Sequence, residues 1–513
     1  MSGMGDNANL YARLAAGFDH GACLLELADG RRYSYGDAEH ASAQVANTLC
    51  GLGLVPGDRV AVVAEKSVAL LWLYLGCLRA GLVYQPLNSA YSERELGFFI
   101  RNADARLVVH DPSVAERVAA ASGQGTQAPR CLSLDAAGEG ELPTLWAPAD
   151  THFTTHQTSS DSVAALLYSS GTTGTPKGIP ISHGNLYSNA VALRATWAFD
   201  RNDVLLHALP FYHVHGLFIT LHPALLAGMR LRFHPRFDAD EVIAALPGAT
   251  LFAGVPTYYT RLLASPAFGS ASCATVRLFI SGSAPLLEAT FHEFSARTGQ
   301  VILERYGMTE TGINTSNPLR GERRPGAVGM PLAGVQVRVV DAQGQAVAAG
   351  QIGEIEVRGP NVFAAYWRLP AQTAEAFSSD GYFHTSDQGR FDAEGYLHIV
   401  GRSKDMIISG GLNVYPKEIE SELDALAGVV ESAVFGVPHG DFGEAVIAAV
   451  ITDRVLDERL VLEQLRRRLA GFKLPKRIFT VSELPRNTMG KVQKSRLREH
   501  YAQLFVAAPG EAG

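Results

Sequence analysis

Between Tyr168 and Gly178 the chain reads YSSGTTGTPKG, with three glycines, two serines, three threonines and one lysine. Glycines permit left-handed dihedrals and a close backbone approach, and consecutive amides with hydroxyls wrap phosphate oxygens, so a phosphate is the natural guest. A Walker A box needs G-x-x-x-x-G-K-[ST], whereas here Pro176 precedes Lys177, which disfavours an ordinary phosphate-loop kinase. Taken alone, the segment also fits a flexible Ser/Thr/Gly surface loop. Arg305 closes the apolar run VILERY beside Tyr306, where an unpaired guanidinium is costly and must meet an anion. Its neighbour Glu304 is one candidate partner; a carboxylate on a substrate, held bidentately, is the other. The HVH triplet (213–215) with His207 nearby hints at zinc, but no acid or cysteine completes a set. ISGSAP (280–285) is not a G-x-S-x-G elbow, so it lends nothing to a serine hydrolase.

Elements must hold these residues in place. VAALLY before the loop reads as a strand and ISHGNLYSNAVAL after Pro180 as a helix, the usual setting of a phosphate loop. RVAVVA (59–64) leads into an apolar helix and then LVYQPL (82–87); TLFAGV (250–255) precedes the helical PTYYTRLLA; VRLFIS (276–281) precedes LLEATFHEFSARTG and VILERY (301–306). This alternation predicts parallel α/β layers. After about residue 325, short alternating segments such as VQVRVV (335–340) and GEIEVRG (353–359) predict an antiparallel appendage. A third region opens at GRSKD (401–405), with KEIESELDAL and LEQLRRRLAG as helices and VVESAVFGV and AVIAAVI as strands. The expected class is α/β: a large N-terminal domain of α/β layers with an antiparallel β appendage, residues 1–402, and a small mobile C-terminal α+β domain, residues 403–513.

Composition bounds the function. A chain of 513 residues exceeds one ordinary core, and 47% hydrophobic with 19% charged residues is globular. A net charge of −7 offers no general attraction to nucleic acid, so an anionic substrate needs a local cationic pocket. Cys23, Cys50, Cys77, Cys131 and Cys273 form no CxxC pair, which favours a reducing compartment. The apolar run 68–84 contains Arg79 and falls short of a span of roughly 20 residues, so no membrane anchor is expected. MSGMGDNANL lacks the basic and apolar parts of a secretion signal, and a cytoplasmic location is expected.

SSGTTGTPKG resembles the phosphate-loop signature of the adenylate-forming superfamily of acyl-CoA synthetases, adenylation domains and luciferases. YGMTE (306–310), the SD of HTSDQG (386–387), GRSKDMIISGG (401–411) and PRNTMGKVQK (485–494) extend the resemblance in order over essentially the whole chain. Ser386 departs from the pattern, since relatives commonly carry glycine there; a change in turn geometry rather than chemistry is expected. The resemblance implies a two-step reaction, in which a carboxylate attacks the α-phosphate of ATP and coenzyme A then displaces AMP.

By that resemblance Ser170, Gly171, Thr172, Thr173, Gly174 and Lys177 cradle the triphosphate, and Glu310 with Thr173 holds Mg²⁺. Thr309 meets the α-phosphate. Gly282, Ser283 and Ala284 line the adenine together with Tyr306, and Glu304, Arg305, Gly307 and Met308 complete the ATP-binding set. Asp387 accepts from the ribose hydroxyls and Arg402 reaches the same sugar. Apart from the motif, Glu310 would serve as a helix-capping acid and Asp387 and Arg402 as turn residues. Lys491 enters the site during adenylation, Lys404 is the hinge, and Gly410 and Gly411 line the thiol channel. HVHG, PTYYTR, SGSAP and ERYGMTET together resemble malonyl-CoA synthetases, which implies that His215, Arg261, Ser283 and Arg305 grip the distal carboxylate of malonate, with methylmalonate a second substrate. Acylation of Lys491 by a lysine acyltransferase, reversed by a deacylase, would erase its charge. The competing readings are another short or dicarboxylic acid as substrate, loading of a carrier protein, and a non-catalytic nucleotide sensor. No carrier segment follows residue 500, which favours free coenzyme A.

Overall fold

A computed structural model of the chain describes residues 7–123, 128–169, 176–409, 412–439, 442–487 and 490–505. Among the described residues the strands form three sheets. In the first, Arg130–Ser133, Ala105–His110, Arg59–Val63, Val83–Pro86 and Val163–Ser169 run parallel, and Lys177–Ser182 closes the edge antiparallel to Val163–Ser169. The second has a parallel centre of Cys23–Leu27, Arg230–Phe233, Val204–His207, Leu251–Gly254, Leu278–Ser281 and Ile302–Met308. Its far half continues antiparallel from Gly312–Ser316 through Leu397–Arg402 and Phe383–Phe391 to Gln336–Val340. The expected antiparallel appendage is thus an extension of the parallel sheet rather than a separate layer.

The central strands Leu251–Gly254 and Leu278–Ser281 are fully buried, and Arg59–Val63 is buried beyond Arg59, because both sheet faces are covered. Helix Val68–Arg79 starts where the Ser67 hydroxyl accepts from the Leu70 amide, and it is buried continuously from Ala69 to Arg79. A helix apolar on every side belongs in a protein interior, and this one packs in the main core with residues of both large sheets. No helix among the described residues is long and apolar enough to cross a membrane. The five cysteines are free.

The third sheet belongs to a smaller C-terminal domain with its own cores on the two faces of the hairpin Val429–His439 and Gly443–Thr452. The join runs from Leu397–Arg402 through one 3-10 turn, Ser403–Asp405, into Ile407–Ser409.

Two expectations need correction. The glycine-rich loop joins two antiparallel strands, with Ser169 opposite Lys177, so it does not lead directly into a helix. The helix His183–Thr196 begins later, at a capping box in which Ser182 and Asn185 exchange side-chain and backbone bonds. Ser386, expected to change the turn geometry, instead holds φ +58°, the left-handed geometry that glycine adopts freely. That conformation strains a residue with a Cβ by roughly 1–2 kcal/mol. Ser386→Gly should therefore raise the unfolding free energy by up to about 1 kcal/mol in denaturant titration, after allowing for glycine's greater chain entropy. A loss of stability would show that the serine is held by contacts rather than tolerated.

Candidate active site

A cavity of about 760 Å³ lies outside the carboxyl ends of the parallel strands, where open α/β sheets place their ligands. Both domains contribute to it. Residues 170–175, which include Ser170, Gly171, Thr172, Thr173 and Gly174, lie outside the described residues, as do Gly410 and Gly411. Lys177 opens the strand that follows the loop, lines the cavity, and sets its ammonium 4.6 Å from the centre of the Tyr366 ring. Burial first, then the nearby Glu310 carboxyl, push the Tyr366 hydroxyl up.

Thr309, Glu310 and Thr311 make the turn between Ile302–Met308 and Gly312–Ser316, so Glu310 caps no helix. The turn is tight enough to demand glycine: a Cβ on Gly307 would stand 1.9 Å from the Gly312 carbonyl oxygen. Glu310 is buried, and that burial pushes its carboxyl above the usual range, with Arg402 and Lys177 opposing. No group of three His, Cys, Asp or Glu able to hold a metal occurs among the described residues. One buried carboxylate fits a magnesium ion whose other ligands are phosphate and water oxygens.

Asp387 sits behind the wall with both oxygens engaged, one accepting from the Tyr306 hydroxyl at 2.6 Å and the other from Arg402 Nε at 2.8 Å. Lys404 lines the cavity from the 3-10 turn. Lys491 reaches the same space from the small domain. Its amide donates to Asn487 Oδ1, its carbonyl accepts from the Asn487 amide, and Arg486 donates to the Gly490 carbonyl while pairing with Glu431. Gly490 packs so close to the large domain that a Cβ there would lie 3.1 Å from Thr257. Burial, with Arg402 and Lys404 adding to it and Asp387 opposing, brings the Lys491 ammonium down to about 8.

The acyl-side expectations divide. Gly282 gives Arg305 its seat, since a Cβ there would stand 2.3 Å from the guanidinium carbon. Ser283 holds φ +73° and puts its hydroxyl 3.3 Å from His215 Nδ1. Ala284 follows it, half-buried. His215 is buried beside Arg305 and His213, and burial first, then Arg305, hold it well below the usual imidazole range, so the ring is neutral. Arg305 itself is buried, and its Nε and Nη2 have no partner; the same is true of His215 Nε2 and Ser281 Oγ. Burial lowers the Arg305 guanidinium to about 10, still cationic at neutral pH.

Glu304 is not its counter-ion. Adjacent residues of a strand face opposite sides, and the Glu304 carboxyl accepts from the Gly326 amide instead, with burial raising it to about 8. Arg261 is a second correction. It is exposed on helix Pro256–Ala264, whose buried face is Tyr259, Leu262 and Leu263, and it does not line the cavity. His213 and Tyr366 do line it and escaped selection from the sequence. His213 stood in the HVH triplet already considered; Tyr366 carries no spacing signal.

Residues 12–367 match the AMP-binding enzyme family and residues 418–491 match the AMP-binding enzyme C-terminal domain. The chain belongs to the family of AMP-binding enzymes, and within it to the acyl-CoA ligases. It is 36% identical to a feruloyl-CoA synthase of Amycolatopsis sp. over 92% of this chain and 94% of that protein. It is 34% identical to a malonate–CoA ligase of Arabidopsis thaliana over 92% and 85%. The crystal structure of ATP-bound MatB from Rhodopseudomonas palustris superposes with a TM-score of 0.95 at 50% identity, covering 97% of this chain and 100% of that one.

The ammonium of Lys491 is lost as pH rises through its pKa, so an adenylation step that needs the charge should slow above about pH 8. Acid-dependent pyrophosphate release, followed from pH 6 to 10 at saturating ATP, should fall through that region. Lys491→Arg should abolish the descending limb. A wild-type profile flat to pH 10 would remove Lys491 from the first step.

Proposed function

We propose that the protein joins malonate, with methylmalonate as a second acid, to coenzyme A through a malonyl-AMP intermediate. The observation that carries this reading is the Arg305 guanidinium, buried without a carboxylate and with two unpaired nitrogens. An uncompensated buried cation is expensive, and a second carboxylate on the substrate is the planar, bidentate partner that guanidinium favours. Ser283 and His215, at the same end, add a hydroxyl and a neutral imidazole for the remaining oxygens. A ferulate ring would gain nothing from these groups and would leave Arg305 unpaired.

A carboxylic acid is already ionised at neutral pH, so the first step needs positioning rather than a base. The near carboxylate oxygen bonds to the α-phosphorus and the bond to the pyrophosphate oxygen breaks, with its electron pair leaving on pyrophosphate. Lys491 supplies a point charge between the two anions, Thr309 a hydroxyl to the α-phosphate, and Lys177 a charge to the outer phosphates. Mg²⁺ held by Glu310 would neutralise the same phosphates when bound. Asp387, behind the lining, fixes Arg402, which lines the cavity and reaches the ribose. In the second step the coenzyme A sulfur bonds to the acyl carbon, AMP leaves with the electron pair, and the thiol proton passes to solvent. Lys404, at the join of domains taken as 1–402 and 403–513, is the pivot that withdraws Lys491 between steps.

Coenzyme A-ester formation across acetate, butyrate, malonate, methylmalonate, succinate and ferulate tests the acid. Malonate should exceed acetate, butyrate and ferulate in kcat/KM by at least about tenfold. Arg305→Leu should remove about 2–5 kcal/mol of transition-state stabilisation for malonate. Faster turnover of acetate or ferulate by the wild type, or an Arg305→Leu variant with undiminished malonate turnover, would overturn the assignment.

A further inference from the structure

Lys66 lies outside the cavity lining, yet it is buried and makes no ion pair among the described residues. Its ammonium fills a cage. It donates to the carbonyls of His207 at 2.8 Å, the last residue of the strand Val204–His207, and of His234 at 2.6 Å, the residue that follows the parallel strand Arg230–Phe233. Its third contact is His207 Nδ1 at 2.8 Å, and the rings of Phe233 and Phe211 cover it at 4.4 and 5.2 Å. Carbonyl oxygens and aromatic faces are what a desolvated cation accepts in place of a carboxylate.

The contacts continue toward the cavity. His207 Nε2 is 2.9 Å from the Gly216 carbonyl, an acceptor, so Nε2 carries the ring proton and Nδ1 is left to accept from Lys66. Thr220 Oγ1 lies 3.1 Å from the same Nε2 and 3.0 Å from the carbonyls of both His215 and Gly216. These atoms belong to a π-helical stretch, His215–Thr220, a geometry often found at functional sites. Gly216 is pressed against the chain, for a Cβ there would stand 2.1 Å from the Pro210 carbonyl. His215, the first residue of the stretch, meets Ser283 beside Arg305.

We propose that Lys66 is a positioning residue for the acid subsite: through His207 and the Gly216 carbonyl it fixes the π-helical turn that presents His215 to the substrate. The inference rests on His215 facing the acid, as in the proposed function. A lysine is suited to the task because one ammonium can bind two strand ends and one imidazole at once. A methionine would keep the stem between the two phenylalanines and lose all three donors.

The test measures KM for ATP, KM for the acid and kcat in Lys66→Met and in the milder Thr220→Val, using whichever acid the wild type turns over best. Lys66→Met should raise the acid KM about tenfold, the size expected from one lost buried partner, with the ATP KM within about twofold. Thr220→Val should move the acid KM in the same direction by a smaller factor. Unchanged acid KM in a folded Lys66→Met, or equal rises for acid and ATP, would overturn the role. If Lys66→Met fails to fold, Thr220→Val decides alone, and an unchanged acid KM there overturns it. An error in the diacid assignment appears in the wild-type panel; an error about Lys66 appears only in the variants.

Discussion

A guanidinium taken out of water and given no carboxylate is the constraint on which the acid end of the cavity depends. Arg305 occupies that position in the middle of the strand Ile302–Met308, and Gly282 is glycine because the guanidinium fills the space a Cβ would take. Ser283 accepts a left-handed backbone beside it, and His215 stays neutral because burial and the arginine both oppose a second positive charge. Strain and unpaired polar atoms of this kind lower the stability of a free protein and persist where a ligand completes them. The bound acid, in this view, finishes a structure that folding alone leaves incomplete.

The same logic extends across the cavity. The chain as a whole is acidic, yet Lys177, Arg305, Arg402, Lys404 and Lys491 converge near Glu310 and Asp387. A local cationic excess inside an acidic protein concentrates polyanions at one place only, as two mutually repelling substrates require. Lys491 comes from the other domain, on a hairpin loop whose backbone bonds to Asn487 and whose Gly490 fits against Thr257. Its charge is supplied by domain placement, whereas that of Arg305 is built into the sheet.

Much of this was legible in the order of residues. The apolar runs ending at Val255, Ser281 and Tyr306 announce the parallel strands, and the glycine loop, YGMTE and NTMGK announce the family. The failures have physical causes. The short strand Lys177–Ser182 goes unread, and the helix is started two residues early at Ile181, because the start signal at Ser182 and Asn185 carries less weight in a sequence than the apolar run. The PTYYTR motif points Arg261 at the acid, whereas helical periodicity puts it opposite Tyr259, Leu262 and Leu263. Glu304 neighbours Arg305 in the sequence, but strand alternation separates their side chains. Lys66 gives no local signal, because its cage is assembled from residues more than a hundred positions away.

The central claim, that Arg305 receives the far carboxylate of the substrate, is tested most directly by a double cycle. Wild type and Arg305→Leu are each assayed for kcat/KM with malonate and with its monomethyl ester, which keeps the shape and removes one charge. Esterification should be severely damaging in the wild type and nearly neutral in the variant, a coupling of about 1.5 kcal/mol or more. Equal losses in both proteins would mean that the arginine and the second carboxylate never meet.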